Sequence, residues 1–201
     1  MHISEGVLSA PVLSSGAVIA AAGVGLGLRE IKNENIPKVA LLSSAFFVAS
    51  LIHVPVGPSS VHLILNGLLG IMLGWAAFPA ILLGLFLQAV LFQFGGLTTL
   101  GVNTVNMALP AVICYYLFGR PVRNGGRLLS SISGFLAGAI AVFTSGLLVA
   151  LCLVFTGEYF LNAAKLILVA HIPVIGIEGV ITASTLTFLK RVKPEILGVQ
   201  G

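Results

Sequence analysis

The chain has 201 residues, of which 58% are hydrophobic and only 8% charged, with a formal net charge of +4. A water-soluble domain carries roughly 25% charged residues, so this composition excludes a soluble globular protein and describes an integral membrane protein. The length suffices for about six to eight crossings at roughly 20 residues each, and without aromatic-basic interleaving the positive charge gives no ground for a nucleic-acid partner.

The first feature in chain order is the start itself. Met1-His2 offers three nitrogens: the terminal amine, the His2 backbone nitrogen and the His2 ring Nδ1. Together they can close a five-membered and a six-membered chelate ring on one ion. Such a set selects a nitrogen-loving metal with a square-planar preference, Ni²⁺ or Cu²⁺. The bland alternative is a chance start. Histidine is bulky enough to leave Met1 in place. A signal peptide needs a positive n-region, and Glu5 is the only charged side chain before Arg29, so no trimming is expected.

Apolar runs between breakers predict about seven helices: Pro11–Leu28, Val39–Val56, Ser60–Leu73, Trp75–Phe92, Val105–Phe118, Leu128–Phe155 and Ala163–Leu189. The break between the third and fourth rests on Gly74-Trp75, with Pro79 as the other choice. His53 lies near the end of the second run. It reads as a hydrogen-bonded helix end, with a supporting contact to the metal set or a ligand on the way in as alternatives. After Val56-Gly57-Pro58-Ser59-Ser60 comes His62, which could give a fourth nitrogen beside Met1 and His2. The alternative is a histidine bonded to a neighbouring helix.

The uncharged segment Gly95–Asn106 is rich in hydroxyls and amides. Thr98 and Asn103 there, with Ser59, Ser60 and Glu5, are candidates to orient the His62 ring or hold the N-terminal segment, as metal ligands usually require. Cys114 and Cys152 lie in apolar runs without ligand spacing and read as packing residues. Ser130, Gly134 and Gly138 recur at four-residue spacing, which permits close helix approach. In the last run His171 and Glu178 point the same way, about 10 Å apart along the axis. They cannot share an ion without a bend at Pro173.

Basic residues test this scheme. Arg29, Lys32 and Lys38 fall in the first loop, Arg120, Arg123 and Arg127 in the fifth, and Lys190, Arg191 and Lys193 after the last helix, with only Lys165 opposite. The positive-inside rule makes the shared side cytoplasmic, so the N-terminus is expected outside and the C-terminus inside. No Walker A loop, HExxH or GxSxG motif is present. The chain is not expected to be an enzyme, and any ATP hydrolysis belongs to another subunit.

Taken together, Met1-His2-Ile3-Ser4-Glu5-Gly6, Gly57-Pro58-Ser59-Ser60-Val61-His62, Gly95-Gly96-Leu97-Thr98-Thr99-Leu100-Gly101-Val102-Asn103, Ala170-His171-Ile172-Pro173 and Glu178-Gly179 resemble the substrate-binding membrane subunits of energy-coupling-factor transporters for cobalt and nickel, the CbiM/NikM family. The resemblance spans almost the whole chain. It implies a single seven-helix domain over residues 1–201, with segment 1–10 inserted into the substrate site of a multi-pass protein of the prokaryotic cytoplasmic membrane. It also implies Ni²⁺ or Co²⁺ as transported substrate, held by the Met1 amine, the His2 backbone and ring nitrogens and His62. Its implied partners are a transmembrane coupling subunit, a pair of ATP-binding-cassette ATPases and a small accessory membrane protein. Deprotonation of an amide ligand favours low-spin Ni²⁺, so nickel is preferred over cobalt. The competing reading is a proton-coupled secondary transporter of a cation or small solute, relaying protons through His171 and Glu178; an intramembrane enzyme lacks any suitably spaced nucleophile and base.

Overall fold

A computed structural model describes residues 2–51, 53–56 and 59–198, without the side chains of 53–56, 59 and 60. Among these residues the elements run α1 (Ala10–Glu30), α2 (Ile36–Ala49), β1 (His53–Val56), β2 (Ser59–His62), α3 (Asn66–Leu73), α4 (Ala77–Phe92), α5 (Leu100–Asn124), α6 (Arg127–Thr156), α7 (Leu161–Ala170) and α8 (Ile172–Val192). Among the described residues five stretches are long and apolar enough to cross a membrane: Ala10–Glu30, Asn66–Phe92, Leu100–Asn124, Arg127–Thr156 and Glu158–Val192. The protein is a polytopic, all-α membrane bundle carrying one small hairpin.

That hairpin replaces two expected helix ends. Hydropathy predicts continuous helices over Val39–Val56 and Ser60–Leu73, but the chain leaves α2 at Ala49 and pairs β1 with β2 antiparallel, His53 opposite His62 and Val56 opposite Ser59. Val54-Pro55-Val56 explains this. Proline lacks the N–H that a helix interior needs, and β-branched residues fit a pleated ribbon. At 8 residues, α3 is only about 12 Å long. The break between α3 and α4 falls at Gly74, whose φ of +58° suits glycine, and not at Pro79. Helix α5 starts earlier than expected, at Leu100, so the polar segment is a loop only as far as Thr99. The last run divides at His171, just before Pro173.

Small residues set the helix spacing. A Cβ on Gly70 would strike the Ala111 carbonyl of α5, and one on Gly67 the backbone of Ala137 and Gly138 on α6. Gly138 meets the Glu178 carbonyl in the same way, seating α6 against α8. Between these contacts Phe46, Phe78, Ile81, Leu85, Met107, Val149 and Leu153 form the buried core. Large apolar side chains such as Val18, Leu41 and Phe155 point outward, as in a protein whose solvent is lipid.

Three basic side chains tie one end of the bundle. Lys38 Nζ donates to the Ile196 carbonyl at 2.9 Å and Arg123 to the Ile71 carbonyl at 3.1 Å. Lys190 Nζ donates to the carbonyls of Val122 and Gly125 at 2.8 and 2.6 Å, and to Ser130 Oγ at 2.7 Å. Two of these cations sit on the last carbonyls of α3 and α5, where the helix dipole favours positive charge. The histidines gather at the opposite end.

Candidate metal centre

The segment ahead of α1 is threaded into the bundle. Ile3 is fully buried and His2 nearly so. Asn103, in the first turn of α5, grips both backbone groups of Ile3: its Oδ1 accepts the Ile3 N–H at 2.9 Å and its Nδ2 donates to the Ile3 carbonyl at 3.1 Å. The same Nδ2 donates to Thr99 Oγ1 at 3.2 Å. Farther along, the Glu5 N–H donates to the Gly95 carbonyl at 2.9 Å, and Glu5 Oε1 accepts the Thr98 N–H at 3.2 Å. Gly95 and Gly96 are required by this close approach. A Cβ on Gly95 would press on Asn103 and His2, and one on Gly96 would overlap the Glu5 side chain.

A relay of hydrogen bonds fixes the His2 ring. Ser50 Oγ donates its one proton to the Phe47 carbonyl at 2.9 Å. It must therefore accept from Gln88 Nε2, which turns Gln88 Oε1 toward His2 Nε2 at 2.6 Å. An amide oxygen only accepts, so His2 carries its proton on Nε2 and Nδ1 keeps the lone pair. Nδ1 is the ring atom that a Met-His chelate uses.

His62 is set in the complementary tautomer. Its Nδ1 donates to the Leu63 carbonyl at 2.7 Å, and its buried Nε2 has no hydrogen-bond partner among the described residues. The His2 and His62 rings stack with centroids 4.6 Å apart and an interplanar angle of 24°. Burial holds the His62 imidazole well below the ordinary histidine range, and the adjacent His2 ring adds to this. The ring is therefore neutral, the form that ligates a metal.

The chain just after His62 is held from α8. Glu178 accepts the Leu65 N–H on both carboxylate oxygens, at 2.9 and 3.1 Å, and also the Ile64 N–H. These contacts hold Leu65 at a φ of +55°, a conformation costly for a residue with a side chain. Asn66 adds bonds to the Met107 carbonyl at 3.1 Å and Ser145 Oγ at 2.8 Å. His62 thus leads into a strained, over-determined turn, as expected where a ligand is clamped.

The sequence-derived candidates divide accordingly. His2, His62, Asn103, Glu5 and Thr98 come together, Thr98 through its backbone N–H. Met1 and the side chains of His53, Ser59 and Ser60 lie outside the described residues. His171 is buried and donates from Nδ1 to the Ile167 carbonyl at 2.7 Å, whereas Glu178 engages Ile64 and Leu65. Gln88 and Ser50 join the site without a signal in residue spacing, as do the backbone partners of Glu178. Gln88 carried a usable signal, being the only polar side chain in α4, where a polar group in lipid-level helix marks a site. Among the described residues no group of three or more His, Cys, Asp or Glu is placed to hold an ion. The described side chains offer the stacked imidazoles of His2 and His62, and His171 adds a third whose Nε2 is buried without a hydrogen-bond partner among the described residues.

The chain also has known likenesses. A family model described as the CbiM cobalt uptake substrate-specific transmembrane region matches residues 2–196. A Haemophilus influenzae protein assigned to metal transport is 48% identical, over 98% of this chain and 97% of its own. The fused nickel transport protein NikMN of Rhodobacter capsulatus is 32% identical over 98% of this chain and 64% of its own. A solved transition metal transporter superposes with a TM-score of 0.74 at 28% identity, covering 96% of this chain and 93% of that one.

Proposed function

The chain belongs to the CbiM family of cobalt-uptake transmembrane proteins, a transport component, and on that footing we propose that it is the metal-capturing subunit of an ATP-driven energy-coupling-factor importer and not itself an enzyme. The ion is held by the Met1 amine, the His2 backbone nitrogen, His2 Nδ1 and His62 Nε2. The observation that carries this reading is the pair of tautomers: the Gln88–Ser50 relay leaves the lone pair on His2 Nδ1, and the Leu63 carbonyl leaves it on His62 Nε2. Four nitrogens, one of them a deprotonated amide, create a strong planar field. That favours Ni²⁺ over Co²⁺ and disfavours Zn²⁺, which has no planar preference. The Asn103 and Glu5 contacts supply the preorganisation such a chelate needs, because they hold the flexible terminus before the ion arrives.

The N-terminus faces the outside of a prokaryotic cytoplasmic membrane, a placement supported by the basic residues at the other end of the bundle. A transmembrane coupling subunit and two ATP-binding-cassette ATPases supply the energy, with a small accessory membrane protein as a further partner. The proton-relay reading draws no support from the contacts, since Glu178 is engaged by two backbone N–H groups and His171 Nδ1 by a carbonyl. Replacing His62 by alanine tests the site: calorimetry on purified protein should show Ni²⁺ affinity falling at least about a hundredfold, the lower bound for losing a nitrogen ligand when even indirect partners are worth roughly 10–100-fold. Undiminished affinity would refute His62 as a ligand.

A further inference from the structure

At the end of the bundle away from the histidines, α6 and α8 part to form a cleft of about 1070 Å³. Arg127, Lys190 and Arg191 line it, and among the described residues no carboxylate does. Lys190 is committed to three oxygen acceptors, so it contributes its field but no free donor, whereas Arg127 and Arg191 are exposed. The N-terminus of α6 opens into the same space and adds the positive end of its dipole. Thr187 also lines the cleft, and its hydroxyl oxygen is buried with no hydrogen-bond partner among the described residues.

The cleft does not end in polar surface. A second groove of about 370 Å³ shares Ser131, Ala183 and Ser184 with it and continues between Ile132, Phe135, Leu136 and Val180. Leu128 and Phe188, 75% and 62% exposed, flank the polar part. A cationic, hydroxyl-lined chamber thus opens into an apolar channel along two membrane-crossing helices. A free anion would match only the first part and an apolar segment only the second.

We propose that this cleft binds one anionic phospholipid, its phosphate between Arg127 and Arg191 with the Thr187 hydroxyl beneath, and an acyl chain in the groove beside Phe135 and Val180. Basic pockets between transmembrane helices recognise anionic headgroups in this way. The site is separate from the metal centre and does not depend on how the metal is held.

Native mass spectrometry of the purified full chain, titrated with phosphatidylglycerol or phosphatidylcholine of equal chain length, tests it. One phosphatidylglycerol should be retained at a concentration about tenfold lower than phosphatidylcholine, and the double variant Arg127→Gln/Arg191→Gln should bring the two within about twofold. Ni²⁺ binding by that variant should match the parent, which reports that the bundle is folded. Glycerol 3-phosphate, lacking acyl chains, should fail to compete. Equal retention of the two lipids, a preference that survives the double substitution, or displacement by glycerol 3-phosphate would each overturn the proposal. In native membranes, a benzophenone analogue at Phe188 should crosslink to lipid; a protein adduct in its place would overturn it.

Discussion

Gln88 shows how one side chain governs the chemistry of another. Its amide is oriented by Ser50, and the oxygen that this leaves facing His2 decides which ring nitrogen carries the proton. Replacing Gln88 by leucine keeps the apolar fit of α4 but removes the acceptor, so His2 loses both its tautomer and its orientation. Ni²⁺ affinity should fall about 10–100-fold, the usual effect of losing a partner that orients a ligand, while the melting temperature moves little. Calorimetry beside thermal unfolding separates the two, and an unchanged affinity would contradict the relay. His2 and His62 were legible as candidates because an imidazole at lipid level is costly without a purpose, and the structure stacks the two rings; Met1 lies outside the described residues. Gln88 was less legible, since a lone amide in an apolar helix says that it has a partner without saying which.

Among the elements, the contact between α8 and the turn ahead of α3 carries most consequence. Glu178 works as a helix cap supplied by another helix, giving acceptors to N–H groups that the start of α3 cannot satisfy itself. Glu178→Ala would strip partners from the buried Ile64 N–H and the Leu65 N–H, at about 1–3 kcal/mol for each group left unsatisfied. The melting temperature in detergent should drop clearly, with Glu178→Gln, which keeps an acceptor oxygen, falling less. If alanine and glutamine variants melt like the parent, the cap has no energetic weight. Hydropathy located the long helices well: Leu128–Phe155 became α6 almost unchanged, and Gly74 fell at a real break, whereas the continuous run Ala163–Leu189 divides at His171. It failed at Val54–Val61, because an apolar run reads alike whether it ends a helix or enters a ribbon. Nor could spacing along α8 reveal that Glu178 turns to a turn 113 residues away and not to His171.

The molecule as a whole has two chemically distinct ends joined by helices that pack through glycine. One end threads the N-terminal segment between α4 and α5 to present the His2 and His62 rings; the other fastens helix carbonyls with Lys38, Arg123 and Lys190. The charge asymmetry was legible in the sequence because it lies in residue type alone, whereas the carbonyl partners depend on the fold. In a background with Cys114 and Cys152 replaced by alanine, Leu97→Cys should label from outside intact cells and Gly126→Cys only after permeabilisation; the reverse pattern would invert the proposed orientation. The proposed binding site is the terminus itself. Inserting one alanine between Met1 and His2 changes the number of backbone nitrogens between amine and ring while leaving α1 to α8 intact. Ni²⁺ titration of that purified variant, followed by the absorption of planar nickel, is the most direct measurement. The planar band and the high affinity should both disappear, and an unchanged band with undiminished affinity would place the ion elsewhere.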